Sequence, residues 1–167
     1  MVPSGVLPGF DAAMRFLCDE MLLRLARLLR AAGHDADLAQ DGQTDAELLR
    51  IARAENRVLV TRDKRLAAAG HPRAVLVTGR GAYAEAESLT AALPIDWTLA
   101  PFSRCLIDNT PLRDADAADL RRLPPPAHEL PGPFRACPAC GRVYWPGSHV
   151  KRLGERLARL AQFLPQA

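Results

Sequence analysis

The chain has 167 residues, 49% hydrophobic and 25% charged, which describes a globular protein with one core and room for a small second module. No apolar run is long enough to span a bilayer, and residues 1–10 lack the basic start and apolar core of a signal peptide, so membrane-spanning and secreted classes are set aside and a cytoplasmic protein is expected. A net charge of +3 permits an anionic partner without demanding one; the arginines that carry it suit phosphate, and they equally suit a genome rich in arginine codons.

Residues 1–13 are punctuated by Pro and Gly and show no periodicity. They read as a tail, a remnant of another module or a misplaced start, since Met14 opens a clean strand. That strand, residues 14–18, ends in Asp19-Glu20 and runs into a helix in which Leu22, Leu25, Ala26 and Leu29 keep helical spacing. Arg24, Arg27 and Arg30 flank this face, and Gly33 closes the helix. Cys18 is most simply a small buried hydrophobe. Residues 35–39 form a weak second strand and Asp41-Gly42-Gln43 a turn. Thr44-Asp45-Ala46-Glu47 matches a capping box that opens a helix with Leu48, Leu49, Ile51 and Ala52 on its buried face. The next strand, from Val58, is apolar until it breaks into Thr61-Arg62-Asp63. A short helical turn over residues 64–69, a buried strand over 74–78 and a helix over 84–93 follow. This rhythm implies right-handed crossovers and an α/β fold with a mainly parallel sheet.

Composition then shifts. Residues 102–109 read as a strand running into a turn, and residues 114–133 as a proline-rich loop. Residues 137–141 form a knuckle; residues 148–163 form a basic amphipathic helix with Ser148 as its N-cap and Leu153, Leu157 and Leu160 on one side.

In a parallel sheet the strand ends that carry Asp19 and Asp63 lie on one edge, and the helix start that carries Asp45 can face it. Carboxylates that converge repel one another unless a cation sits between them; Mg²⁺ or Mn²⁺ suits such ligands and serves phosphoryl transfer. Each acid has a plainer role as well: Asp19 and Asp45 as partners of a helix dipole, Asp63 as a cap, Glu47 as the capping-box acid. Thr61 and Arg62 are candidate contacts to phosphate or a ligand water, and so are Arg24 and Arg27, which equally fit a wet helix face.

Cys137-Pro138-Ala139-Cys140-Gly141 has zinc-knuckle spacing. Cys105 and Asp108 repeat the same two-residue gap upstream, so Cys105, Asp108, Cys137 and Cys140 close a structural zinc-ribbon site, with His149 and His128 as competing fourth ligands. Tyr144-Trp145-Pro146-Gly147-Ser148-His149 follows. Its aromatics either stack bases beside a basic helix or pack the ribbon on the sheet.

Residues 16–33, the Thr61-Arg62-Asp63 strand end, and the paired knuckles running into Tyr144-Trp145-Pro146-Gly147-Ser148-His149 resemble the Mut7-C ribonuclease family. The resemblance implies a PIN-like three-layer fold with a C-terminal zinc ribbon: a tail over residues 1–13, a nuclease domain over 14–100, and a ribbon module with its basic helix over 101–167. It implies metal-dependent hydrolysis of RNA phosphodiesters with Asp19, Asp45 and Asp63 at the catalytic metal; the chain is expected to be a Mg²⁺- or Mn²⁺-dependent ribonuclease, with Thr61, Arg62, Arg24, Arg27 and His149 toward substrate. Asp108 stands where the family usually has a cysteine. The alternative is a non-catalytic RNA-binding or adaptor module on a degenerate fold of this type; a toxin nuclease is a third reading.

Overall fold

The structure, a computed structural model, describes residues 14–163; the tail expected over residues 1–13 lies outside them, as does the side chain of His128. Strands β1 (Phe16–Cys18), β2 (Ala36–Leu38), β3 (Val58–Thr61) and β4 (Ala74–Leu76) form one sheet in the order β2-β1-β3-β4. All three pairings are parallel. The two central strands are buried on both faces, which is why their sequences are apolar runs rather than alternations. Side chains nevertheless divide with period two. Phe16, Cys18, Val58 and Val60 face the larger core, while Leu17 and Leu59 face the smaller one.

On the larger side lie α1 (Leu23–Ala32) and α4 (Ala82–Ala92). α2 (Asp45–Ala54) and α3 (Lys64–Gly70) cover the other side through Leu48, Ala52 and Leu66. A 3₁₀ turn, Glu20–Leu22, leads into α1. The capping box is complete: the Thr44 N–H donates to Glu47 Oε2 at 2.8 Å, and the Glu47 N–H donates back to Thr44 Oγ1 at 3.3 Å. Gly33 ends α1 at φ 101°, where a Cβ would collide with the Ala100 carbonyl; only glycine meets both demands.

Three expectations are corrected in the second half. Residues 102–109 make no strand but a tight loop pinned by one bridge between Arg104 and Pro111. Phe102 and Asn109 both adopt positive φ there. Residues 114–133 are not a bare loop: α5 (Ala117–Leu120) and α6 (Pro125–His128) form within them, α5 behind an Asp116 cap. β5 (Arg113–Asp114), β6 (Arg135–Ala136) and β7 (Val143–Tyr144) then make an antiparallel sheet. α7 (Ser148–Ala161) is preceded by Gly147 as N-cap, so Ser148 is its first helical residue and caps nothing. Leu157 and Leu160 of α7 are buried in the larger core, beside α1.

Two buried side chains fasten the loop of residues 104–111 to the sheet. Arg30, read from sequence as flanking the apolar face, is buried; it donates to the Ala36, Leu106 and Ile107 carbonyls at 2.7, 3.0 and 2.8 Å. Asn109 Oδ1 accepts from the Ala36 N–H at 3.1 Å. β2 is an edge strand, and these contacts satisfy both outward backbone groups of Ala36. Among the described residues, no helix is long and apolar enough to cross a membrane.

The amino edge of the sheet is held by charge. Arg57, its side chain 5% exposed, contacts Asp35, Asp37 and Glu55 at 2.7 Å each. Burial works against the Asp35 carboxylate, but hydrogen bonds from Arg57, Asn109 and Arg15 outweigh it and hold Asp35 at about 2, down from 3.8. The stability this provides is complete above about pH 4 and is lost as pH falls through 2. Arg57→Met is expected to cost about 3 kcal/mol, the low end for breaking a buried pair because the carboxylates keep some solvent. Melting curves between pH 2 and 6 check this: the variant should melt lower at pH 6 and lose less on acidification than the native chain.

Candidate functional site

From β1 the chain passes to one neighbour, β2, and later to the other, β3. A crevice therefore opens beyond the carboxyl ends of β1 and β3, the usual ligand position in such sheets. Asp19 follows β1 and Asp63 follows β3 at this point. Asp19 is 7% exposed. Its Oδ1 accepts from the Glu20 N–H at 2.8 Å and its Oδ2 from the Thr61 hydroxyl at 2.6 Å. The Thr61 oxygen accepts in turn from the Asp63 N–H at 3.0 Å. Thr61 is fully buried, and its hydroxyl ties the two strand ends together.

Asp63 is exposed and caps α3, its Oδ1 accepting from the Arg65 and Leu66 N–H groups at 2.6 and 3.1 Å. Asp45, exposed in the first turn of α2, has no hydrogen-bond or ion-pair partner among the described residues. No arginine or lysine forms an ion pair with Asp19, Asp45 or Asp63 there, in contrast to Asp35 at the opposite edge. The three do not collapse into a cage. Among the described residues, no three carboxylates bring ligand oxygens within 4.8 Å of one another.

A further acid was missed from sequence. Glu85 lies in the first turn of α4 and is 5% exposed, with Arg62 Nη1 at 3.7 Å. The available signal was positional: it follows the fourth strand in the same strand–loop–helix order that places Asp45. Arg62 is half-exposed beside Asp63 and leans toward Glu85. Cys18, below them, is inert; burial pushes its thiol up to about 12, against the pull of Arg30 and with help from Asp19, Asp37 and Glu85.

The second centre is a closed group. Ligand atoms of Cys105, Asp108, Cys137 and Cys140 all lie within 4.8 Å of one another. The Cys105 and Cys140 sulfurs are 3.7 Å apart, and the Cys137 sulfur is 3.4 Å from Asp108 Oδ2. Thiolates about 2.3 Å from a tetrahedral zinc stand about 3.8 Å apart, so this donor set fits zinc and is too open for a disulfide. Without a cation, desolvation first, then Asp108, Cys137 and Cys105, push the Cys140 thiol up to about 12. A dication reverses that balance by deprotonating coordinated thiols. Asp108 Oδ1 also accepts from the Thr110 N–H at 3.0 Å, which fixes the carboxylate in its turn.

The aromatic run serves this centre. The Tyr144 oxygen lies 3.1 Å from the Cys105 sulfur and accepts from the Leu106 N–H at 3.1 Å, so its hydroxyl hydrogen is free to reach the sulfur. His149 is exposed, with Nδ1 3.0 Å from Arg152 Nη2; it is outside the four-residue group. It instead lines a cavity of about 320 Å³ with Tyr144, Trp145 and Val150. Arg24 and Arg27 are exposed on α1 and line a separate cleft of about 260 Å³.

The Mut7-C RNAse domain description matches residues 14–157, from the first strand through the paired knuckles into α7. The chain belongs to the Mut7-C RNAse domain family. The Mut7-C match spans both centres, and the family's name is that of a nuclease. A human relative, "Exonuclease mut-7 homolog", is 39% identical over 61 residues, which are 36% of this chain and 7% of that protein. The chain thus spans under a tenth of that relative's length. No solved structure matches.

Proposed function

We propose that this Mut7-C chain is a Mg²⁺- or Mn²⁺-dependent ribonuclease that hydrolyses RNA phosphodiesters at the carboxyl edge of its sheet. The observation that carries the reading is the contrast between the two edges. Acids at the amino edge are matched by arginine, whereas among the described residues Asp19, Asp45 and Asp63 form no ion pair, the neighbouring Arg62 turning to Glu85 instead. Mg²⁺ commonly takes only one or two carboxylates and keeps several waters, so separated acids suit it. Asp19 and Asp63 would hold the cation, with Asp45 and Glu85 reached through water. The cation supplies charge stabilisation for the phosphate and a more acidic water. The chain's own groups do the rest. Thr61 fixes the orientation of the Asp19 carboxylate, and Arg62 is poised for a phosphate oxygen with Glu85 setting its direction. Arg24, Arg27 and His149 contact the strand beyond the scissile bond.

Zinc held by Cys105, Asp108, Cys137 and Cys140 is structural in this reading. The nuclease unit comprises residues 14–100, and residues 101–167 form the ribbon module with its basic helix. Cytoplasmic conditions keep such thiols reduced and available to metal. Incubation of the purified chain with labelled single-stranded RNA tests the activity. Cleavage should require Mn²⁺ or Mg²⁺ and stop on chelation with recovery on adding Mn²⁺ back. RNA binding without cleavage under every metal condition would establish the non-catalytic alternative instead.

A further inference from the structure

Beside the acidic edge lies a cleft built from elements far apart in sequence. One part, about 400 Å³, is lined by Arg24 of α1, Arg80 and Tyr83 at the start of α4, and Arg156 and Arg159 of α7. A second part, about 260 Å³, shares Arg24, Tyr83 and Arg156 and adds Arg27. No acidic residue lines either part. None of these five arginines has a hydrogen-bond or ion-pair partner among the described residues. Arginines elsewhere in the chain are matched, Arg30 by carbonyls and Arg57 by carboxylates. Five guanidinium groups gathered without counter-charge repel one another, and that arrangement is stable only in solvent or with an anion between them.

We propose that this cleft binds the phosphodiester backbone of a single RNA strand as it leaves the acidic edge; the proposal rests on the ribonuclease reading for its substrate. Position supports it. Arg80 and Tyr83 flank the start of the helix that carries Glu85, and Arg24 lies one turn beyond the residues that follow Asp19. Chemistry supports it too. Guanidinium forks match phosphate oxygens, and Tyr83 between them offers a face for a base or ribose, the pairing that single-strand grooves use. The cleft also gives α7 a task. Leu157 and Leu160 dock this helix in the core, which sets Arg156 and Arg159 opposite Arg24 and Arg80. Leu106, which follows the zinc ligand Cys105, forms part of the floor. The zinc module thus completes the RNA path through its loop and its helix.

The test is fluorescence anisotropy with a labelled twelve-base RNA in buffer without added Mg²⁺ or Mn²⁺ and without chelator, across a salt series, comparing the native chain with Arg156→Gln/Arg159→Gln and with a charge-matched control, Arg50→Gln/Arg53→Gln, on the exposed side of α2. Each phosphate neutralised contributes about 0.7 to the slope of log affinity against log salt. The cleft variant should lose roughly 1.4 of slope and about 10-fold or more in affinity; the control should lose much less, and melting temperatures of all three should agree. Equal losses in both variants, or none in the cleft variant, would overturn the proposal, as would competition by polyglutamate as strong as that by unlabelled RNA. The outcome is separable from the catalytic reading: a chain that binds through the cleft but never cleaves refutes only the nuclease, and one that cleaves with unaltered binding in the variant refutes only the cleft.

Discussion

Asp63→Asn should reduce Mn²⁺-dependent RNA cleavage by at least about 100-fold while leaving RNA affinity within about 3-fold. The substitution is chosen because Asp63 has two roles that asparagine separates. Its Oδ1 caps α3, and asparagine caps a helix about as well as aspartate. Its N–H bond to Thr61 belongs to the backbone and survives. What disappears is one negative charge at the mouth of the crevice. A purely structural Asp63 would therefore leave cleavage unchanged, and retention of full activity by a variant of native melting temperature would refute its catalytic role. Asp19→Asn is a less clean probe, since Asp19 is buried and holds the Thr61 hydroxyl. Its loss would move α1 and β3 as well as the charge.

Removal of the structural metal has the larger expected effect on stability. The antiparallel sheet has strands of two residues each, far too short to persist without a staple. Few apolar side chains of residues 104–145 are buried, so zinc bound as proposed would stand in for a core. Protein purified without added metal should carry one zinc per chain by elemental analysis. Cys137→Ser should lose that zinc and cost about 3 kcal/mol or more. A chain of this length should then melt roughly 6–12 °C lower. Asp108→Cys runs the other way: four thiolates should hold zinc against higher chelator concentrations than three thiolates and a carboxylate. A native chain that is folded, zinc-free and insensitive to chelation would refute the site.

How much of this was legible in residue order depends on range. The apolar runs of β1 and β3, the Thr44 capping box and the Gly33 terminator follow from local physics and stand where the pattern put them. The knuckle spacing was equally local, and it named all four residues that the fold gathers. Local reading failed where the deciding partner is distant. Residues 102–109 look like a strand, yet Arg30 and Asn109 bend them onto the edge of β2. Arg30 looked like a solvated helix residue because nothing nearby in sequence reveals three waiting carbonyls. The acceptor of the Thr61 hydroxyl is equally distant; only pairing of β1 with β3 makes it Asp19. Glu85 had only its position after the fourth strand to mark it, and its burial distinguished it from surface glutamates.

By itself, the sequence determined the α/β rhythm, the acids at the strand ends and the zinc-binding spacing, since each depends on periodicity or on a turn of a few residues. The tertiary structure alone decided which strand ends adjoin, that Asp19, Asp45 and Asp63 do not close into one cage among the described residues, and that α7 lies against α1. Those are choices of long-range packing. They rest on burial of Leu157 and Leu160 and on strand order, and neither is encoded in any window of neighbouring residues. The arginine cleft is the clearest case. Its cations come from α1, α7 and the turn before α4, and the repulsion among them becomes a binding site only when the core brings those segments together.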